Sequence, residues 1–226
     1  MLEIKKLNQI DAFFNKINGY NFAFLTIIVG LGGSMLAFFL YFLDDSSFSP
    51  FTNFISDMSV GPNSSDLMFF LFMVIMPFMY IPFFLYLTRV LRKQGMSPIL
   101  TWIVFGGTIL LALSQILTAL YPLDPENKSM YDTHLVFGQL IFLFLGINML
   151  ILAYLEYSQI SIPKYSPLLA IGSGILSLLF ALFLFLGTYT TMFDYNTITY
   201  LTEWAAFSLF FLWLFLKGIY LYKNPS

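Results

Sequence analysis

Six apolar stretches, each long enough to cross a hydrocarbon core, dominate the 226-residue sequence: 22–43, 67–91, 98–121, 131–157, 167–189 and 199–221. About 20 helical residues span a bilayer, and in lipid every backbone N–H and C=O must find its partner within the protein. The stretches are therefore expected to be helices, and the fold class all-α: a polytopic six-helix transmembrane bundle. Charged residues make up 10% of the chain and hydrophobic ones 59%, against about 25% and 45–50% in a soluble domain. Lys and Arg total 10 against 12 Asp and Glu, with no basic stripe, so no nucleic-acid partner is expected. The absence of cysteine removes disulfides, thiolate metal sites and cysteine nucleophiles together.

Charge sorting gives an orientation. With the N-terminus in the cytosol, Lys5, Lys6, Lys16, Arg89, Arg92, Lys93, Lys164, Lys217 and Lys223 fall on that side and only Lys128 on the other, the positive-inside pattern. Asp44, Asp45, Asp57, Asp66, Asp124, Glu126, Asp132, Asp194 and Glu203 are then extracytosolic. The expected organisation is a cytosolic leader (1–20), a single transmembrane domain (21–222) and a cytosolic tail (223–226). In the leader, Ile4, Leu7, Ile10, Phe14 and Ile17 recur at spacings of three and four, with Lys5, Lys6, Asp11 and Lys16 off that stripe. This pattern predicts an amphipathic helix on the cytosolic leaflet; a frayed polar leader is the alternative. The first span is too long, and the stretch after it lacks the small-x-small site, for a cleavable signal peptide.

Local punctuation refines the spans. Ser97-Pro98 and Ser166-Pro167 each offer an N-cap serine before a proline at the first helical position. Pro77 and Pro82 remove backbone donors inside the second span and predict a kink. Gly30, Gly32, Gly33, Gly106, Gly107, Gly172 and Gly174 read as close helix-packing points. His134 follows Ser97, and Glu203 follows Ser166, by the same 37 residues; equal hairpins across one bilayer would also produce that repeat. Only one connection is long, the outer loop 44–66. Its Phe48, Phe51, Phe54, Ile55, Met58 and Val60 make it too apolar for disorder, so it is expected to fold over the bundle mouth.

Polar residues within the spans gather near the outer surface. At 1.5 Å per residue, His134 lies about 7.5 Å into the fourth span, Glu203 about 6 Å into the sixth and Gln115 about 9 Å below the end of the third. Ser56, Asp57 and Asn63 belong to the loop expected to close over this layer, and Asp132 precedes His134. Ionisable residues at such depth are costly and point to a functional site. Two readings stand side by side. In one, His134, with Asp132 or Glu203, is a general base, and Ser56 is the nucleophile that an acyl transfer would need. In the other, Asp132 and Thr133 cap the fourth helix, and His134 bonds to Glu203 or Gln115 as interhelical glue. Either way, His134 and Glu203 are expected to touch. Asn148 and Gln139 are expected to make interhelical bonds, and Arg89 to snorkel. One histidine without cysteine cannot build a three-His or His/Cys zinc site, and no G-x-S-x-G, H-E-x-x-H or P-loop occurs. No metal and no cofactor are expected.

A family resemblance adds to this reading. Ile55-Ser-Asp-Met-Ser-Val-Gly-Pro-Asn63, followed by Leu67-Met-Phe-Phe70, resembles the "I-S-D-x-G…P…L-F" segment of the DRAM–Frag–Sfk membrane proteins. Tyr131-Asp-Thr-His-Leu-Val-Phe-Gly138 is similar to that family's "H-x-x-G/A-A" helix start, and Leu201-Thr-Glu-Trp204 to its "E-W" pair. Met58-Ser59 stands where the family has glycine. A related, uncharacterised prokaryotic group of six-helix membrane proteins carries similar segments. The resemblance spans about residue 20 to 222 and implies a role in lipid remodelling or distribution. It marks Ser56, Asp57, Pro62, His134, Glu203 and Trp204 as positions to watch. The leading expectation is a protein that binds or organises lipid at the extracytosolic leaflet, with membrane lipids as partners. A lipid-modifying enzyme using the His/carboxylate cluster is the alternative. A small-solute transporter comes third, for lack of a midplane ion cluster or clear inverted repeat.

Overall fold

The structure, a computed structural model, describes residues 12–14, 16–159, 162–189 and 197–224. Their backbone groups are satisfied in six long helices: α1 (Tyr20–Phe42), α2 (Ser65–Lys93), α3 (Pro98–Leu120), α4 (Lys128–Tyr157), α5 (Tyr165–Tyr189) and α6 (Thr197–Lys223). All six are long and apolar enough to cross a membrane. Ile28, Phe78, Ile99 and Leu168 remain 60–73% exposed on the outer faces of four of them, a surface that suits lipid and would be a liability in water. The chain is an integral, multi-pass membrane protein by this architecture.

Each helix packs on the next, and α6 returns against α1, closing a ring. Glycine sets the closest approaches. A Cβ on Gly146 or Gly174 would meet the other residue's backbone carbonyl across the α4–α5 crossing, and one on Gly107 would strike the Asn148 amide. Asn148 donates to the Thr108 hydroxyl at 3.4 Å, an interhelical bond as expected. Gly30 and Gly33 let α1 lie against Met76, Phe211 and Phe72. Gly32 and Gly106 are not packing points, because each faces open space.

Helix ends depart from expectation in instructive ways. Ser97 caps α3 by accepting from the Leu100 amide at 3.5 Å. Ser166 is not a cap: α5 begins one residue before it, and its hydroxyl donates to Glu156 at 2.6 Å. Neither Asp132 nor Thr133 caps α4, which starts at Lys128 behind Asn127, whose side chain accepts from the Met130 amide. Pro77 and Pro82 both lie within the continuous α2. Residues 1–11 of the leader, like Asp194, lie outside the described residues. Of the leader stripe that is described, Phe14 is buried against Tyr86, but Ile17 is exposed.

The long loop does fold over the bundle mouth. Phe48 stacks on Tyr41 with ring centroids 4.1 Å apart, and Phe54 meets Tyr200 edge-on at 4.5 Å. Between them and α2, Ile55–Val60 form a 3-10 helix with Met58 fully buried. Asn63 and Ser64 take left-handed backbone angles, φ 55° and 67°, which asparagine tolerates better than most residues. The Asn63 amide then donates to the Leu40 carbonyl at 3.3 Å, tying the turn to α1.

Candidate functional site

Beneath the loop, α2 to α6 enclose a chamber of about 90 Å³. Its roof is Phe54, Ile55 and Ser56; its walls include Phe69, Phe72, Met73, Met76, Leu111, Leu135, Ile141, Phe142, Leu145, Phe180, Phe207, Phe210 and Phe211. The polar residues lining it are Ser56, Tyr80, Gln115, Thr118, His134 and Glu203. Along α4 the lining runs from His134 to Leu145, about 16 Å at helical rise. Along α6 it runs from Glu203 to Phe211, about 12 Å. The space therefore has a polar head under the loop and an apolar tail directed toward the middle of the bundle. Phe83, Phe84 and Trp213 cluster with the wall residue Phe210, with Phe84 stacked on Trp213 at 6.1 Å.

His134 and Glu203 share the chamber but are not bonded to each other. Among the described residues, no hydrogen bond or ion pair joins them, so the expected direct contact is corrected. Each is held instead by a backbone group. His134 Nδ1 lies 2.6 Å from the Tyr121 carbonyl, one of the oxygens left unpaired where α3 ends. Because a carbonyl only accepts, Nδ1 carries the hydrogen, and in a neutral ring Nε2 is then a bare acceptor. Nε2 is buried without a partner. Glu203 Oε2 accepts from the Ile55 amide at 2.6 Å, where the 3-10 helix of the loop begins.

The remaining candidates divide. Ser56 lines the chamber roof. Gln115 lines it too, yet its amide is spent on structure: Nε2 donates to the Met73 carbonyl at 2.9 Å, and Oε1 accepts from the Tyr80 hydroxyl at 3.2 Å. Met73 is four residues before Pro77, so its carbonyl is the one that proline leaves without a helical donor. Trp204 anchors the loop, its Nε1 donating to the Asn53 carbonyl at 3.0 Å. Asp57 closes the start of the 3-10 helix, accepting from the Phe54 amide at 2.9 Å and the Asn53 amide at 3.4 Å. Burial pushes its carboxyl above the ordinary carboxylate range, and those two donors offset part of that rise. Ser59 accepts from the Leu123 amide at 2.9 Å, joining the loop to the α3–α4 connection. Asp132 is exposed on α4, Asn63 is exposed in its turn and Pro62 is half-buried; none of the three lines the chamber. Gln139, expected to bridge helices, has a buried Nε2 without a partner.

A second polar cluster was missed from sequence. Lys217 on α6, sorted from sequence only to the cytosolic side, is 2% exposed and pairs with Glu156 on α4 at 2.6 Å. The other Glu156 oxygen accepts from Ser166 on α5, so three helices meet at one buried ion pair. The available signal was a Glu and a Lys set inside apolar spans near the same end of the bundle.

Comparison with protein families matches residues 28–220 to DUF998, described as a protein of unknown function. The chain belongs to the DUF998 family. The match covers the chamber, the loop and all but the first turns of the ring. No curated protein and no solved structure matches this DUF998 chain.

Proposed function

We propose that this DUF998 protein binds lipid at the extracytosolic leaflet, with the acyl portion in the chamber tail and the polar end under the loop. The observation that carries the reading is the pairing of a Phe- and Met-lined tail with a buried, unpartnered imidazole nitrogen at its head. An empty apolar space of this size forfeits about 2 kcal/mol, taking about 24 cal/mol per Å³, and water gains little in it beyond the polar end. A few carbons of a lipid chain fill it at no such cost. Both termini are placed in the cytosol, with a leader (1–20) and tail (223–226) flanking one transmembrane domain (21–222). Arg92, Lys93 and Lys164 at one end of the ring and Asp44, Asp45, Asp124 and Glu126 at the other support that orientation. The resemblance to the DRAM–Frag–Sfk proteins points toward lipid as well.

Gly138 supplies the test. It lines the chamber, and a Cβ there would meet open space. Gly138→Leu should fill the tail without a clash and improve helix propensity by nearly 1 kcal/mol. Lipid that co-purifies with the gently extracted parent, identified by mass spectrometry, should be lost from this variant while its melting temperature holds or rises. Retention of the same lipid at the same ratio would overturn the reading.

A lipid-modifying activity is the second reading, favoured by Ser56 and the bare Nε2 of His134 lining one space. Lipid recovered in altered form after incubation would select it. His134→Gln would then fold but be inactive, since an amide cannot take up a proton.

A further inference from the structure

We infer that the head of the chamber selects a lipid whose polar end is an uncharged hydrogen-bond donor, a hydroxyl-bearing amphiphile, over lipids headed by phosphate or carboxylate. The inference rests on the lipid-binding reading and concerns which lipid is taken.

The argument starts from the imidazole. The Tyr121 carbonyl fixes the hydrogen on Nδ1, at 2.6 Å, so the neutral ring offers a lone pair at Nε2. That atom is buried and has no partner, on a side chain 2% exposed. A buried acceptor without a donor is costly, and a ligand O–H is the group that relieves it. The rest of the lining is already committed. Tyr80 and Gln115 bond to each other, Gln115 also holds Met73, and the Thr118 hydroxyl donates to the Ser114 carbonyl at 2.9 Å. Glu203 accepts from Ile55 and brings a further acceptor group to the same space.

Charge completes the selection. Among the described residues that line the chamber, none is Lys or Arg. A phosphate or carboxylate would enter an apolar space with no cation to balance it, beside a bare nitrogen that repels its oxygens, and an ammonium would likewise carry a full charge into that space. Burying an unpaired charge is far more expensive than burying a hydroxyl that finds an acceptor. The hydroxyl head thus satisfies Nε2 and leaves no charge behind.

His134 is the single histidine in the sequence, which makes the test direct. The full chain, purified without a histidine tag and labelled with [15N]histidine, gives one pair of ring nitrogen resonances. In a phosphocholine detergent, which carries no hydroxyl, it is titrated separately with 1-dodecanol, dodecanoate and dodecylamine. The alcohol should bind about tenfold or more tightly than the other two, the worth of roughly one good hydrogen bond. It should move the Nε2 resonance as an acceptor while Nδ1 stays protonated, and Gly138→Leu should abolish both effects. Equal or tighter binding of the carboxylate or the amine, or an Nε2 that carries a proton in the bound state, would overturn the selection while leaving lipid binding intact. If none of the three binds in the parent, the lipid reading itself fails, and the selection falls with it.

Discussion

Cutting the bond between Glu203 and the Ile55 amide should loosen the roof of the chamber by an amount that can be counted. The bond is 2.6 Å long and buried, so Glu203→Leu leaves the Ile55 N–H without a partner, at a cost of about 1–3 kcal/mol. If the loop opens and closes faster than it is modified, its open population rises by the corresponding factor, roughly 5- to 150-fold. The native chain has no cysteine, so a thiol introduced by Met58→Cys, at a fully buried position of the 3-10 helix, is the sole target for a maleimide. In detergent, where both faces are accessible, that thiol should react slowly in the otherwise native chain and faster by the stated factor with Glu203→Leu added. Glu203→Gln should stay near the slow rate, because an amide oxygen can still accept from Ile55. Val60→Cys, at an exposed position of the same helix, calibrates intrinsic reactivity. Equal labelling of the Met58→Cys thiol with and without Glu203→Leu would show that the bond does not hold the loop shut, and the account of the roof would fail.

Further outcomes follow from the same contacts. Gln115→Leu orphans the Met73 carbonyl and should lower stability by about 1–3 kcal/mol; adding Pro77→Ala restores a helical donor and should recover much of the loss in thermal melts. A melt that Pro77→Ala cannot rescue would mean Gln115 acts elsewhere. Lys217→Met leaves Glu156 buried without its cation, costing about 3–5 kcal/mol, whereas Lys217→Met with Glu156→Gln should regain most of it; equal melting of single and double variants would refute the pairing as a stabilising contact. Burial raises the Asp57 carboxyl, so the closed loop binds that proton more tightly than the open one. Loop closure should then strengthen as pH falls through the raised value toward the ordinary one and weaken as pH rises through it. Labelling of the Met58→Cys thiol, normalised to the Val60→Cys control, should slow over that window, and Asp57→Asn should flatten the response.

How much of this was legible depended on whether the partner was a pattern or an atom. Span number and approximate limits were readable because bilayer thickness imposes length; α2 and α6 simply run two residues further at each end than the apolar stretches. Loop closure was readable from the aromatic content of 44–66. His134, Glu203 and Gln115 were placed in one layer by depth, and all three line the chamber; of the loop residues expected to close over them, Ser56 lines it and Asp57 and Asn63 do not. Their bonds were not readable, since the Tyr121 carbonyl, the Ile55 amide and the Met73 carbonyl are backbone groups that residue type does not reveal. Pro77 was the exception: its missing N–H names residue 73 as needing a donor, although which helix supplies it requires the packed structure. Charge sorting assigns Lys217 a side but is blind to its buried partner Glu156, and Ser166 was misread because a Ser-Pro pair looks like a cap wherever it occurs.

Those backbone partners also bear on function. A helical bundle in lipid must satisfy each carbonyl or amide exposed by a helix end, a proline or a loop. Here α3 ends at Leu120 with Tyr121 as its cap, Pro77 leaves one carbonyl of the continuous α2 without its helical donor, and the loop helix begins at Ile55. His134 Nδ1, Gln115 and Glu203 each answer one of these needs. Structural demand therefore accounts for why polar side chains stand in this layer at all, and it uses up Gln115. It does not account for His134 Nε2, a buried atom of a chamber-lining residue that has no partner among the described residues. A residue needed only to hold the Tyr121 carbonyl could be a serine or an asparagine, with no second nitrogen left in an apolar space. On the proposed lipid reading, that surplus acceptor at the head of an apolar tail is what a ligand would use.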